Sequence, residues 1–106
     1  MRILFLNERV DYSNATSYSL DLASAIVERG HEVQLCTGGG DLLEQFRQHS
    51  IETYQVSFNP LTMGKLLGYL KTFDPELIHV QSLRSYPFGR KIMGRLRKPV
   101  VLTVHT

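Results

Sequence analysis

Several features that mark other classes of protein are scarce or missing in this sequence. It has a single cysteine, Cys36, within an apolar segment, so an internal disulfide is excluded and a reducing compartment is favoured. The apolar runs are only strand-length, well short of the roughly 20 residues that a membrane-spanning helix needs. The first residues lack a cationic stretch followed by a long apolar one, so no signal peptide is expected. We therefore predict a cytoplasmic protein.

Net charge is also small. The formal value is +2, which is too little to indicate a nucleic-acid partner. The distribution is uneven, because six of the twelve basic residues fall within residues 84–98. In the helix predicted there, Arg90, Lys91 and Arg95 lie on one face. That face is either simply solvated, which is the common case, or binds anionic lipid headgroups, which would place the protein peripherally at the inner face of the membrane.

What the sequence does contain is a regular alternation of strand and helix patterns. The apolar run at residues 3–6 predicts a strand buried on both faces. Further strands are predicted at 32–36, 51–56, 77–81 and 100–105, with helices at 17–29, from 41, from 60 to the Asp74-Pro75 pair, and at 86–97. This order predicts one three-layer α/β/α domain with a five-stranded parallel sheet, strand order 3-2-1-4-5. The first strand is then central, and the third lies at an edge.

In such a sheet, the loops after the first and fourth strands flank one crevice, beside the end of the fifth. The first loop, residues 7–16, has no glycine, and Cys36 and Thr37 stand where a dinucleotide site has an acidic residue. A nicotinamide or flavin dinucleotide is therefore not expected as a cofactor. The loop instead offers Ser13, Asn14 and Thr16, which either help to bind an anion at the helix N-terminus or only cap the helix.

The three consecutive glycines at residues 38–40 are similar to the glycine-rich part of a phosphate-binding loop. This run lacks the Lys-Ser/Thr ending of such a loop, and glycine clusters mostly mark turns, so a turn is predicted. Directly after it, Asp41 and Glu44 have the spacing of a capping box for the next helix.

The remaining candidates for a site lie at the ends of the fourth and fifth strands. Gln81, Ser82 and Ser85 stand where the fourth strand opens into the crevice, whereas His79 is expected in the core. His105, at the carboxyl end of the fifth strand, is a candidate for chemistry, and a structural role is equally open. No Ser-His-Asp order, carboxylate pair or metal-ligand spacing is present. No metal site is expected, and the residues do not support catalysis by this chain alone.

Four segments of the chain form a distinctive series. They are Met-Arg-Ile-Leu at 1–4, Leu-Asp-Leu-Ala at 20–23 leading to Glu-Arg-Gly-His-Glu-Val at 28–33, Phe-Asp-Pro-Glu-Leu-Ile-His-Val-Gln at 73–81, and Lys-Pro-Val-Val-Leu-Thr-Val-His-Thr at 98–106. In this order and spacing they resemble the N-terminal half of family 4 glycosyltransferases, whose GT-B fold sets two Rossmann-like domains around a cleft. The resemblance implies that residues 1–106 are the acceptor-side Rossmann-like domain of a longer, retaining, hexosyltransferase-type enzyme. The C-terminal donor domain is absent from the sequence, so the chain is expected to be incomplete and inactive alone.

The resemblance also implies partners and residue roles. The substrates would be a nucleotide sugar, used as a co-substrate rather than a resident cofactor, and a glycan, lipid or small-molecule acceptor. Asn14, Ala15 and Thr16 correspond to the loop that approaches the donor diphosphate, although the family's Gly-Gly is Asn-Ala here. His105 corresponds to a catalytic-site histidine near the transferred sugar, and Gln81 to a position often occupied by histidine. The competing hypothesis is a non-catalytic Rossmann-like module that binds a ligand or partner, for example as one subunit of a split enzyme.

Overall fold

The computed structural model of the protein describes residues 1–57, 62–81 and 85–102. Within these ranges strands and helices alternate along the chain. In order they are β1 (Arg2–Asn7), α1 (Asn14–Glu28), β2 (Glu32–Thr37), α2 (Leu43–Gln48), β3 (Glu52–Gln55), α3 (Met63–Phe73), β4 (Leu77–Val80), α4 (Ser85–Leu96) and β5 (Val100–Leu102).

The five strands form one parallel sheet in the order β3-β2-β1-β4-β5. Strand β1 is central: Leu4 pairs with Gln34 of β2 on one side and with Ile78 of β4 on the other. Strand β3 lies at an edge. The predicted fold class, the strand order and the central position of the first strand are all confirmed.

Both faces of the sheet are covered by helices, which explains the unbroken apolar run of β1. Alternate residues of a strand point to opposite faces. Leu4 and Leu6 belong to one buried cluster with Leu66 and Leu70 of α3. On the other face, the cluster contains Ile3 and Phe5 of β1 together with residues of α1 and α2, namely Ala23 and Phe46. The three layers are therefore α1 and α2, the sheet, and α3 with α4.

Helix α4 approaches the sheet at a glycine. A Cβ added at Gly89 would lie 2.7 Å from Cγ2 of Val80 and 3.4 Å from Cδ2 of Leu6. The absence of a side chain therefore lets α4 pack against β1 and β4, the two strands whose ends border the predicted crevice.

All four helix starts differ from the prediction, and two of them shift without a further consequence: α3 begins at Met63 rather than residue 60, and α4 at Ser85 rather than residue 86. Helix α1 begins at Asn14 rather than residue 17, because the Ser13 hydroxyl caps it. The capping box predicted at Asp41 and Glu44 is wrong: α2 begins at Leu43 with Leu42 as its N-cap and no side-chain cap bond. The Asp41 N–H instead donates to Oδ1 of Asp11, 3.2 Å away. At the other end of α1, Gly30 has φ +91° and follows the C-cap residue Arg29, a position that favours glycine.

The single cysteine is part of the core. Cys36 lies on β2, is completely buried and belongs to the cluster that α3 covers. Burial raises the pKa of the Cys36 thiol to about 12, so the thiol is protonated at neutral pH.

In the ranges that the structure describes, no helix combines the length and the apolar character needed to cross a membrane.

Candidate functional site

A cleft of about 260 Å³ lies at the carboxyl edge of the sheet, between the ends of β1 and β4. Its described lining comes from the loop after β1, the first turn of α1 and the residue after β4: Asn7, Glu8, Arg9, Ser13, Ala15, Thr16 and Gln81. The cleft is in the position predicted for the crevice, because the two loops that the strand order brings together do border it.

Three of the predicted site residues line this cleft: Ala15, Thr16 and Gln81. Asn14 is exposed, as the first residue of α1, and is not among the described lining residues. Ser82 and His105 lie outside the described residues, and of Ser85 the structure gives only its place as the first residue of α4.

Ser13 and Thr16 form the cap of α1. The Ser13 Oγ accepts a hydrogen bond from the Thr16 backbone N–H, and its hydroxyl donates to Oγ1 of Thr16, both at 3.0 Å. Such a cap satisfies one of the free N–H groups of the first helical turn. Of the two roles left open for this loop, the capping role is therefore established for Ser13 and Thr16, and the Thr16 N–H is already engaged.

The charged residues of the loop are paired with each other. Arg9 donates to both carboxylate oxygens of Asp11, with Nε and Nη2 each 3.1 Å from their acceptors. The Arg9 hydrogen bond holds the pKa of Asp11 below its usual value, and the same bond raises the pKa of Arg9. Because Asp11 compensates the charge of Arg9, and Glu8 adds a carboxylate, the described lining is not a cationic surface.

The glycine turn between β2 and α2, residues 38–40, packs against the loop that follows β1. Backbone hydrogen bonds join the two segments: Gly38 N–H to Glu8 O at 2.9 Å, Val10 N–H to Gly39 O at 3.0 Å, and Leu42 N–H to Val10 O at 2.9 Å. Gly40 has φ +152°, and a Cβ there would lie 2.5 Å from the backbone carbonyl carbon of Val10. The predicted turn is confirmed, and glycine is required because the turn packs directly against the backbone of the first loop.

The floor of the cleft carries two carboxamides, Asn7 and Gln81. They are 2% and 4% exposed. The Gln81 N–H continues the β1–β4 ladder by donating to Leu6 O at 3.2 Å, and the Asn7 Nδ2 donates to Oγ of Ser19 at 3.0 Å. Among the residues that the structure describes, Oδ1 of Asn7 and both Oε1 and Nε2 of Gln81 have no hydrogen-bond partner.

Three further lining residues, Asn7, Glu8 and Arg9, belong to the predicted loop at residues 7–16 but were not singled out from the sequence, whereas Ser13 was. A signal was present, because Asn7 directly follows the buried run of β1 and therefore stands at the carboxyl edge. His79, in contrast, is buried within β4 and stacked on Phe5, with ring centroids 4.7 Å apart, and so lies in the core as predicted.

The basic residues of α4 lie on the surface. Arg90, Lys91 and Arg95 are exposed, while Gly89 on the same helix is buried against the sheet. Lys98, after the helix, is less exposed and forms an ion pair with Asp74 at 3.0 Å.

Within the described ranges, no group of three or more His, Cys, Asp or Glu side chains is placed to hold a metal ion.

Comparison with solved structures shows that this fold is shared with GT-B glycosyltransferases. HepE of Anabaena, solved in complex with UDP, has a TM-score of 0.81 at 20% identity, with 99% of this chain and 29% of HepE covered. A glycosyltransferase from Rickettsia africae has a TM-score of 0.79 at 14% identity, with coverage of 97% and 29%. MurG of Acinetobacter baumannii has a TM-score of 0.74 at 14% identity, with coverage of 95% and 34%.

This chain therefore spans less than a third of the length of HepE. No curated protein gives a significant match. The model of one protein family, Glycosyltransferase Family 4, matches residues 15–106. Since that match includes most of the chain and agrees with the shared fold, the protein belongs to Glycosyltransferase Family 4.

Proposed function

We propose that this chain is the acceptor-side domain of a retaining glycosyltransferase, which transfers a sugar, of hexose type, from a nucleotide sugar to a glycan, lipid or small-molecule acceptor. The observation that carries the proposal is the cleft between the β1–α1 loop and the end of β4, in a chain of this family. Clefts at this edge of parallel sheets are where open α/β folds bind ligands.

The comparison with HepE supports a second domain. HepE was solved with UDP and with UDP-glucose, and this chain corresponds to 29% of it. In our proposal the nucleotide sugar is held mainly by a C-terminal domain that is not part of this sequence. This chain alone is then inactive, and the nucleotide sugar acts as a co-substrate with no resident cofactor.

His105 is proposed as the residue of this chain that acts nearest the transferred sugar. The proposal is based on the family resemblance and on the direction of β5, which runs parallel to β4 toward the carboxyl edge. In the parent protein, we expect His105→Ala to lower the rate of sugar transfer by about tenfold or more, because a positioned side chain at the reacting centre typically contributes on that order or above. Transfer is measured with a panel of nucleotide sugars.

The matched control is His49→Ala, which removes an exposed histidine just after α2 and should leave the rate unchanged. A transfer rate that is equal in the His105→Ala variant and the wild type would remove His105 from the site. If the parent protein transfers no sugar from any donor, the non-catalytic binding module becomes the better hypothesis.

We also propose that the exposed basic face of α4 contacts anionic lipid at the cytoplasmic side of a membrane, as suits a lipid acceptor. Each cation near such a surface contributes about 1 kcal/mol. We expect the double reversal Arg90→Glu with Arg95→Glu to abolish cosedimentation with phosphatidylglycerol vesicles. The double reversal Arg29→Glu with Arg47→Glu changes two exposed arginines elsewhere and should not affect it. The proposal would be contradicted if both double variants lost vesicle binding equally, or if the wild type bound neutral and anionic vesicles equally well.

A further inference from the structure

The fold leaves three polar atoms of the two buried carboxamides at the floor of the cleft without partners among the described residues. We propose that Asn7 and Gln81 form an amide pair that binds the neutral hydroxyl groups of the acceptor and so selects a sugar-like acceptor. This inference rests on the proposed function, and it concerns residues of the cleft rather than the catalytic step.

The sheet places the two amides side by side. Strands β1 and β4 are parallel neighbours, with Leu6 paired to Val80. Asn7 and Gln81 are the next residues along these two strands, and the Gln81 N–H donates to the Leu6 carbonyl oxygen. Both side chains line the same cleft. The pairing therefore places the two residues side by side through the backbone, and the bond to Ser19 also holds the Asn7 amide.

Three polar atoms of this pair lack partners among the described residues. Buried polar groups are nearly always hydrogen-bonded, because leaving one unpaired costs stability. If the Asn7 amide is rotated by 180°, Oδ1 takes the place of Nδ2 beside Ser19, and Nδ2 is then the atom without a described partner. The assignment of the amide orientation therefore does not change the conclusion. An unpaired group retained at the floor of a ligand cleft is explained if the ligand is its partner.

The charge of the cleft indicates what kind of ligand that is. Arg9 is compensated by its paired bonds to Asp11, Glu8 is acidic, and no lysine is among the described lining residues. An anionic diphosphate therefore finds no free cation there. Carboxamides are neutral and both donate and accept hydrogen bonds, as sugar hydroxyl groups do. The pair thus matches a hydroxyl-bearing, uncharged ligand better than a phosphate.

The size of the cleft agrees with this. At about 260 Å³ it lies just below the range of about 300–1,000 Å³ that holds drug-sized ligands, which suits a ligand of about one ring. The amide atoms are shielded from solvent, but the terminal bond of a glutamine side chain rotates over broad minima. Either end of the Gln81 amide is therefore able to turn toward a ring that enters the cleft.

The test replaces Gln81 with methionine, which keeps the length of the side chain and removes both polar atoms. In the parent protein without a donor, binding of methyl hexopyranosides is followed by saturation-transfer NMR. We expect Gln81→Met to abolish the binding signal, to raise the acceptor KM at least tenfold and to leave the KM for the nucleotide sugar unchanged. The midpoint of thermal unfolding should not fall, because an unpaired buried amide has been replaced by an apolar group.

The matched control is Gln45→Met. Gln45 lies on α2, and its Oε1 is also buried without a partner among the described residues, but it does not line the cleft. This variant should bind the glycosides as the wild type does. Unchanged binding and KM in Gln81→Met would overturn the inference, as would a raised KM for the nucleotide sugar alone or a fall in thermal stability. If no transfer is detected at all, the proposed function fails, and the glycoside-binding measurement still decides the role of the amide pair.

Discussion

Gly40→Ala is expected to lower the free energy of unfolding of this chain by about 3–4 kcal/mol. The added Cβ would lie 2.5 Å from the carbonyl carbon of Val10 and 2.8 Å from the backbone N of Asp11, so flexible side chains are unable to relieve the clash. Overpacking costs about 1–3 kcal/mol, and a non-glycine residue held at φ +152° adds a similar amount. Urea unfolding followed by circular dichroism measures the change.

The matched control is Gly68→Ala in the interior of α3, where no described atom lies within 4 Å of the added Cβ. In a helix, that exchange is expected to raise stability by about 0.5–1 kcal/mol. The two alanine substitutions should therefore have opposite signs. A loss of less than 1 kcal/mol at Gly40 would show that the turn does not need to pack closely on the first loop.

Leu4→Ala is expected to lower the free energy of unfolding by about 3–4 kcal/mol. Leu4 is 0% exposed, at the centre of β1, and belongs to the cluster that α3 covers. Removing a buried leucine side chain loses its transfer free energy and leaves a cavity, which together cost about 2–5 kcal/mol. Since domains of this kind have a total stability of about 5–15 kcal/mol, the variant should have a much lower denaturation midpoint in urea.

Val101→Ala on β5 is the comparison for that variant, because Val101 is 45% exposed. Replacing an exposed valine removes little buried apolar surface, so Val101→Ala should lower the free energy of unfolding by less than about 1 kcal/mol. Similar losses at Leu4 and Val101 would contradict the central position of β1, since an edge strand would not bury the leucine so completely.

The fold was predictable from sequence because each strand and helix has a clear pattern of its own. The apolar run of β1 requires cover on both faces, and the regular alternation of elements leaves few arrangements of a parallel sheet. Helix starts were less predictable. Ser13 and Asp41 are both good capping residues, but only Ser13 caps its helix, since Asp41 lies one residue before Leu42, the N-cap of α2, and its backbone N–H donates to Asp11. That contact joins segments 30 residues apart and has no local signal.

The candidate site was predictable only in outline. The strand order indicates which two loops meet and so pointed to Thr16 and Gln81, whereas Ala15 was named only through the family resemblance. The pairing of Arg9 with Asp11 is not encoded by any spacing in the sequence, and neither is the lack of partners, among the described residues, for three atoms of the Asn7 and Gln81 amides. The role of the three glycines was recognised as a turn, but the segment against which it packs was not.

The burial of Cys36 has a practical consequence for following substrates in solution. A completely buried thiol with a pKa of about 12 does not react with maleimides at neutral pH. Tyr12 is 75% exposed in the loop after β1. In a Tyr12→Cys variant the new thiol would be the one available to a fluorescent dye, because Cys36 is the single cysteine of this sequence and is buried. A dye attached there would stand on the loop that borders the cleft, in an otherwise unmodified chain.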